Sequence, residues 1–256
     1  MAQLPYFETL EVTGWLPALQ GMRAPLKSYD RNDTESEFVS LGPLSEINGI
    51  TTKIGPNDYK LAKSLCQSGP EHRKWMRQIQ VWAKFNLSLY QHQEADTYMV
   101  GVTKNSESTM HTLMKRPLGW DDFDTKYMSE LGRDDLTRSI TIFNSALVRY
   151  KDDVRELEAL KESKKEQTTD WDASDEYKLQ QEIEFYKSLV ESEFIDLKSI
   201  LPTSFIQSRF VNLNYEVLHN MYHQRKHHRL PQWSIDFVEW VKTLPYSEFI
   251  TEEWPE

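Results

Sequence analysis

Two apolar seams dominate the pattern of hydrophobic and polar positions in the second half of the chain. From Leu136 to Leu157, apolar residues recur in steps of four and three, and the same steps recur from Leu179 to Leu197. Such spacing places the apolar residues on one face of an α-helix. A polar stretch, SKKEQTTDWDAS, separates the seams. The pattern predicts an antiparallel helical hairpin over residues 134–198, either a solvated structural insertion or an arm that binds a partner.

Alternation of apolar and polar residues predicts strands in the first half of the chain. In QVWAKFNLSLYQ, every second residue from Val81 to Leu89 is apolar, which is typical of a strand with one buried face. Shorter strands are predicted over residues 10–16 and 37–42. The segment TYMVGV at residues 97–102 also has the composition of a strand.

Helix signals occupy the remaining apolar segments. NDYKLAKSLCQSG predicts a helix, because its leucines lie one turn apart and a glycine follows. Near the C-terminus, two prolines bracket a helix that starts near Asn212 or Asn214, since asparagine is a favoured cap. Strands and helices together predict an α+β fold, with one domain over residues 1–256 and the hairpin inserted in it.

The end of that C-terminal helix concentrates basic residues and histidines, in the run HQRKHHR. Arg225 and Arg229 lie one helical turn apart and share a face, and guanidinium groups match phosphate oxygens in a bidentate way. The alternative is a solvated cap, because the helix dipole favours positive charge there. His219, His223 and His227 recur every four residues, but they span about 12 Å, too far to close around one metal ion. We therefore predict no metal site.

Short hydrogen-bonding side chains crowd the segment TKNSESTMHTL that follows the predicted strand at 97–102. They include Lys104, Asn105, Ser106, Ser108 and His111. One interpretation is a polar loop that lines a ligand pocket. The other is a turn with a helix cap, in which Ser106 or Ser108 caps the run TMHTLMK. The two interpretations are compatible.

Net charge limits the partners of this protein. Its 30 basic and 40 acidic residues give a formal charge of −10, which opposes binding to bulk nucleic acid or to anionic membranes, so an anion site must be local. Arg23 and Lys27 supply further cations near the N-terminus. With one cysteine, Cys66, no intrachain disulfide can form, and no apolar run is long enough to span a membrane. These features predict a soluble, cytoplasmic protein in which Cys66 is inert packing.

The order of these pieces resembles the flavin-dependent thymidylate synthases, the thymidylate synthase complementing family. SGPEHRKWMRQIQVWAKFNLSLYQ and TYMVGVTKNSESTMH are similar to the helix, strand and signature of that family. The family signature is an Arg-His-Arg triplet followed by Gly-Ser and Ser-x-Arg-Tyr. In this chain Thr97, Tyr98 and Met99 stand at the positions of the triplet, and Gly101 matches the glycine. Ser108 matches the serine of Ser-x-Arg-Tyr if one residue is inserted. Met110 and His111 then stand at the positions of the arginine and tyrosine.

A second segment carries the resemblance without gaps. It runs from Leu201 and Pro202 through Asn214 to Arg225, the spacing of the family's stretch before its C-terminal helix. Glu216 stands at the position of an arginine that holds the nucleotide in the family. A glutamate reverses the local charge, and loss of the triplet removes several charge-assisted hydrogen bonds of about 1.5–3 kcal/mol each to the phosphates of FAD.

The resemblance implies an antiparallel sheet with helices, a homotetramer, and ligands that include FAD and a pyrimidine deoxynucleotide. Its degenerate signature is typical of a divergent, phage-type member. The implied function is a repurposed or non-catalytic nucleotide-binding protein, for which sequestration of a nucleotide or cyclic nucleotide signal against host defence is one use. A flavin enzyme that alkylates C5 of a pyrimidine nucleotide is the alternative, and an interaction protein built on the hairpin is the third.

The candidate ligand-binding residues collect the cations and hydrogen-bond donors from these segments. They are Arg23, Lys27, Lys104, Asn105, Ser106, Ser108, His111, Asn214, Arg225 and Arg229. The expected ligand is a nucleotide or another phosphate-bearing small molecule. If Arg225 serves only the ligand, its replacement by alanine leaves the melting temperature of the empty protein nearly unchanged. The sequence assigns no catalytic residue.

Overall fold

The computed structural model describes residues 4–40, 48–165 and 173–255, with the backbone alone for 38–40, 48–50 and 173. Packing divides the chain into two compact units. The sheet unit comprises Ala2–Leu87, Gln91–Glu107 and Gln207–Glu256, and the hairpin unit comprises Ser88–Tyr90 and Ser108–Ile206.

The fold mixes helices with antiparallel sheet, as the sequence predicts. The strands are β1 (Phe7–Thr13), β2 (Glu35–Ser40), β3 (Asn48–Lys53), β4 (Gln80–Ser88), β5 (Thr103–Ser106) and β6 (Ile206–Asn214). The helices are α1 (Trp15–Met22), α2 (Pro56–Gln67), α3 (Leu89–Ala95), α4 (Thr109–Thr112), α5 (Glu130–Lys165), α6 (Ala173–Ser199), α7 (Tyr215–Arg225), α8 (Val238–Lys242) and α9 (Glu248–Thr251). Short 3₁₀ turns at Ala24–Leu26, Tyr29–Arg31, Arg73–Gln78 and Trp120–Asp122, and a π-helical turn at Gln232–Phe237, connect them.

Four strands form the main sheet in the order β1-β4-β6-β5, and β2 pairs with β3 in a separate hairpin. One face of β4 is buried, because Val81, Ala83, Phe85 and Leu87 are all inaccessible or nearly so. The alternation that predicted this strand is confirmed as far as Ser88. Beyond it the prediction is wrong, since the chain turns into α3.

Several strand boundaries differ from the prediction. The first strand covers Phe7–Thr13 rather than 10–16, because Gly14 adopts φ 91° and α1 begins at once. The strand predicted at 37–42 is β2, and its last two predicted residues lie outside the described residues. Neither β3 nor β6 was predicted. Residues 97–102 are turns rather than strand, and the polar residues after them form β5.

The predicted helical hairpin is confirmed. Helices α5 and α6 cover nearly the whole predicted range, and their apolar seams meet. Leu136, Phe143 and Leu147 are buried with Leu197 in one cluster. A second cluster, Leu157 with Leu179 and Ile183, forms further along the same two seams. No helix within the described ranges is long and apolar enough to cross a membrane.

Candidate anion-binding site

Helix α7 begins with Asn214, one of the two asparagine caps that the sequence predicts. The Asn214 side-chain oxygen accepts a hydrogen bond from the backbone N–H of Val217 at 3.0 Å. Gly101 lies against this cap with φ 73°, and a Cβ atom there would come within 2.8 Å of the Asn214 amide nitrogen. The turn at 97–102 therefore needs glycine at this position both for its backbone angle and for its close approach to α7.

Arg225, the last residue of α7, is held by contacts within the sheet unit. Its Nη1 donates to Glu94 Oε2 at 2.7 Å, and its Nε donates to the Tyr98 hydroxyl at 3.0 Å. The guanidinium carbon lies 5.3 Å from the Tyr98 ring centroid and 5.5 Å from that of Trp233, distances typical of cation–π contacts. Arg225 is buried. Because these contacts hold the side chain without any ligand, we expect Arg225 to contribute to stability as well.

Arg229 does not share a helical face with Arg225. Helix α7 ends at Arg225, with Lys226 as its cap residue, and the His228 N–H then donates to the Arg225 carbonyl in a turn. The helix stops here because a turn and Pro231 follow. Arg229 is exposed, so the predicted arginine pair is wrong in its geometry. His228 instead approaches Glu94, with Nε2 3.8 Å from Oε2.

A second group of cations, Lys104 and Arg209, contacts the residues at the end of α3. Lys104 Nζ donates to the Ala95 carbonyl at 2.9 Å and to Asp96 Oδ1 at 2.8 Å. Arg209 Nη1 donates to both Asp96 oxygens, at 2.8 and 3.1 Å. Burial raises the pKa of Asp96, but the hydrogen bonds from Lys104 and Arg209 outweigh it and bring that pKa below its ordinary value. Asp96 is therefore a carboxylate at neutral pH.

We name these residues the α3–α7 cluster: Glu94 and Asp96 with Lys104, Arg209 and Arg225. Three permanent cations face two carboxylates, so the cluster carries a net charge of about +1 in a protein of net charge −10. The carboxylates are the more accessible partners, with side-chain exposures of 40% for Glu94 and 48% for Asp96. An anion from solution would therefore compete with these two side chains for the cations.

The polar segment after residue 102 is a strand followed by a short helix, not a loop. Lys104 pairs with Val211 and Asn105 with Phe210, so their side chains point to opposite faces of the sheet and cannot line one site together. Asn105 and Ser106 are exposed. Ser108 and His111 belong to the hairpin unit.

Of the predicted helix cap, the structure shows the position but not the hydrogen bond. Ser108 occupies the N-cap position of α4, but its side chain makes no capping hydrogen bond, and His111 is exposed on α4. The backbone carbonyl of Ser108 instead accepts from the Thr112 hydroxyl at 2.7 Å. Whether Ser106, Ser108 or His111 contacts a ligand stays a prediction.

Arg23 lies in a different cluster of the sheet unit. Both Nε and Nη2 lie 2.6 Å from Asp58 Oδ1, and both residues are buried. Asp58 Oδ2 also accepts from the hydroxyl and backbone N–H of Thr34 and from Asn32. Arg23 is therefore a structural residue rather than an available phosphate ligand. Lys27 is exposed, with φ 51°.

Histidines and the cysteine have structural partners. His219 Nδ1 lies 3.0 Å from the Ile250 carbonyl, and His223 Nε2 lies 3.0 Å from the Glu252 carbonyl. No group of three metal-binding side chains occurs within the described residues. Cys66 is inaccessible, its Sγ lies 3.8 Å from Met76 Sδ, and burial raises its pKa to about 12. An un-ionised, buried thiol fits the predicted inert role.

The residues at the flavin and nucleotide positions of the resemblance do not fit FAD phosphates. Thr97, Tyr98 and Met99 stand where the resemblance implies the cationic triplet, and Met99 exposes an apolar side chain there. Glu216 is buried, and its Oε1 accepts from Arg73 Nε at 3.3 Å, while its Oε2 has no hydrogen-bond partner among the described residues. An acidic group in this position repels an anionic ligand and neutralises the nearest arginine.

Two solved structures show what the fold is similar to. Thymidylate synthase X (ThyX) from Helicobacter pylori, crystallised with FAD and dUMP, matches with a TM-score of 0.59 over 97% of each chain at 14% identity. A second Helicobacter pylori structure, flavin-dependent thymidylate synthase ThyX complexed with FAD and dUMP, matches with a TM-score of 0.53 over 96% of each chain, also at 14% identity. The chain has a ThyX-like fold. No family model and no curated protein matches its sequence.

Sequence reasoning missed the residues that complete the cluster. Arg209 could have been placed on a strand from the sequence. Arg209, Val211 and Leu213 lie at every second position, and the residues between them are polar or exposed, which is the period of a strand. Glu94 and Asp96 carry no local signal of their partners. Each is one acidic residue among 40, and its ion pair forms only when the chain folds.

Proposed function

We propose that this protein binds a nucleotide or a related phosphate-bearing small molecule at the α3–α7 cluster, and that it does so without flavin catalysis. The observation that supports the proposal best is the gathering of Lys104, Arg209 and Arg225 around two exposed carboxylates. The similar ThyX structures hold a nucleotide, dUMP. The missing cations at 97–99 and the buried Glu216 disfavour the chemistry of those enzymes.

Binding proceeds by exchange of anions. A phosphate group takes the place of the Asp96 carboxylate beside Lys104 and Arg209, and Asp96 turns into solvent, where it is already half exposed. The same exchange at Arg225 releases Glu94. Arg209 suits this role, since its Nη1 already donates to both oxygens of one carboxylate and can donate to phosphate oxygens in the same way. Sequestration of a nucleotide or cyclic nucleotide signal in the cytoplasm, as in phage anti-defence, is the use we propose.

A homo-oligomer, of four copies as the resemblance implies, belongs to this proposal. Trp82 and Phe210 alternate with buried Val81 and Val211, so they lie on the sheet face away from the core, and both are exposed. Exposed aromatic side chains on neighbouring strands are typical of an interface. Light scattering at micromolar concentration tests it: we expect an oligomer for the wild type and dissociation for the Trp82→Asp, Phe210→Asp double variant. A monomeric wild type contradicts the oligomer.

Titration calorimetry against mononucleotides, dinucleotides and cyclic nucleotides tests the binding proposal. We expect at least one to bind below millimolar and Arg209→Ala to weaken it about ten- to hundred-fold, the equivalent of about 1.5–3 kcal/mol. Lys84→Ala controls for the loss of one positive charge, because Lys84 does not belong to the α3–α7 cluster. It lies on β4, with its Nζ 6.0 Å from the Phe210 ring. If no nucleotide binds the wild type, or if both variants weaken binding equally, the proposed site is wrong.

A flavin enzyme that alkylates C5 of a pyrimidine deoxynucleotide is the second candidate. The likeness to two structures that contain FAD and dUMP favours it. The absorbance spectrum of the purified protein, before and after incubation with FAD, separates the two. We expect no flavin band after gel filtration. A yellow protein with stoichiometric flavin would overturn the non-catalytic proposal.

A further inference from the structure

We propose a second anion-binding pocket in the sheet unit, between the end of α1, the 3₁₀ turns at 24–31 and the start of α2. The cavity has a volume of about 570 Å³, within the range of small-molecule sites. Its polar lining includes Arg31, Lys60 and Asn57, and its apolar lining includes Leu26 and Leu61. This inference does not rest on the function proposed for the α3–α7 cluster.

The loop that forms the pocket is held in place by a buried ion pair rather than by a core of its own. Neither of its 3₁₀ turns contains a buried residue, and Leu26 is 86% exposed. Asp58 is 0% exposed and contacts both ends of the loop. It forms an ion pair with Arg23 at one end and accepts hydrogen bonds from Thr34 at the other. A buried ion pair is weak support for stability, because removing two charges from water costs about what their attraction returns. We infer that the pair serves to position the loop.

The backbone of the loop points to the same conclusion. Lys27 adopts φ 51°, a left-handed conformation that costs a non-glycine residue of order 1 kcal/mol and persists only where the surrounding structure imposes it. A loop that is strained, anchored at both ends and apolar at its exposed tip has the character of a binding loop.

The charges of the pocket select the ligand. Within the described residues, neither Arg31 nor Lys60 has an ion pair, whereas Arg23 is already neutralised by Asp58. Asp30 also lines the pocket, so the available charge is about +1. An arginine and a lysine that line one cavity suit a phosphate group, and Leu26 and Leu61 offer contact to an apolar body. The geometry fits a phosphomonoester of a small apolar or aromatic group.

Calorimetric titration with phenyl phosphate, inorganic phosphate and phenol tests the pocket. We expect phenyl phosphate to bind the full-length protein below millimolar, inorganic phosphate to bind at least fivefold more weakly, and phenol not to bind. The double variant Arg31→Ala, Lys60→Ala should weaken phenyl phosphate at least tenfold. Asp30→Asn should strengthen it, since a repelling carboxylate is removed.

Two controls separate this pocket from the α3–α7 cluster and from general charge effects. Arg77→Ala removes an exposed arginine outside the pocket lining and should change phenyl phosphate affinity less than twofold. Arg209→Ala should also leave it unchanged. Because the substituted cations are exposed, circular dichroism should show intact folding. Equal loss of affinity in the Arg77→Ala or Arg209→Ala variant, or no binding of phenyl phosphate to the wild type, overturns the inference.

Discussion

Two arginines that the sequence marks as phosphate ligands, Arg23 and Arg225, are both paired with carboxylates, but the pairs differ. Asp58, the partner of Arg23, is 0% exposed and accepts hydrogen bonds from several groups of one loop. Glu94, the partner of Arg225, is 40% exposed. A saturated, buried carboxylate cannot leave its arginine without a large cost, whereas an exposed one can turn into water. The Arg23–Asp58 pair is thus a fixed structural pair, which we call the latch. We infer that the Arg225–Glu94 pair, in contrast, is exchangeable.

Removal of the latch should have the largest effect. We expect Asp58→Ala to lower the free energy of unfolding by about 3–5 kcal/mol, because it leaves a buried arginine without its counter-charge. Urea denaturation measures this. Asp30→Ala, which removes an exposed carboxylate in the same segment, is the control and should change stability by less than about 0.5 kcal/mol. Similar losses in the two variants would mean that Asp58 is not a latch.

Acid should lower the free energy of unfolding through one residue of α7, His219. Burial, with a smaller contribution from neighbouring His223, lowers the pKa of His219 from 6.5 to about 4. The unfolded chain then binds more protons between those values, so this contribution is complete above pH 6.5 and is lost as the pH falls towards 4. At about 1.4 kcal/mol per unit, the loss is on the order of 3 kcal/mol.

Denaturation across that pH range checks the acid prediction. His219→Gln keeps a polar side chain that does not titrate, so its stability should fall less steeply between pH 6.5 and 4 than that of the wild type. His227→Gln, at an exposed position beyond the end of α7, should have the wild-type slope. A His219→Gln slope equal to that of the wild type would show that His219 is not buried in its neutral form.

The exchangeable pair should respond more mildly. We expect Arg225→Ala to lower the free energy of unfolding by about 1–2 kcal/mol, since it removes the cation–π contacts with Tyr98 and Trp233 but leaves Glu94 able to hydrate. Thermal unfolding compares it with Arg229→Ala, which should be nearly neutral. A loss as large as that of Asp58→Ala would erase the distinction between the two pairs.

The smallest effect concerns binding rather than folding. We expect Glu94→Gln to raise the affinity for the best-binding nucleotide about tenfold, or about 1.4 kcal/mol, because the competing carboxylate is gone. Its stability should change by less than about 1 kcal/mol. Glu8→Gln, at an exposed position of β1, controls for the change in net charge. Calorimetry that finds weaker binding in Glu94→Gln would show that Glu94 helps to hold the ligand.

The elements that could be predicted are those in which neighbours along the chain decide the outcome. The hairpin follows from apolar residues three and four apart, and β4 from alternation, because each pattern by itself defines one face to bury. The Asn214 cap is equally local, since its hydrogen bond spans three residues. Strand β6 carries a similar alternation that was overlooked, and the turn at 97–102 shows that strand-like composition alone is a weak guide.

The sequence by itself determined where the two hairpin helices lie and narrowed the start of α7 to Asn212 or Asn214. Only the tertiary structure decided which cations are occupied. Arg23 meets Asp58 across 35 residues, and Arg225 meets Glu94 across 131. Such partners are chosen by how strands and helices pack, and a charged residue looks the same in the sequence whether its counter-charge is a ligand or another side chain. Asp58 and Glu94, the counter-ions of Arg23 and Arg225, could not be identified from the sequence for one physical reason: they lie far away along the chain.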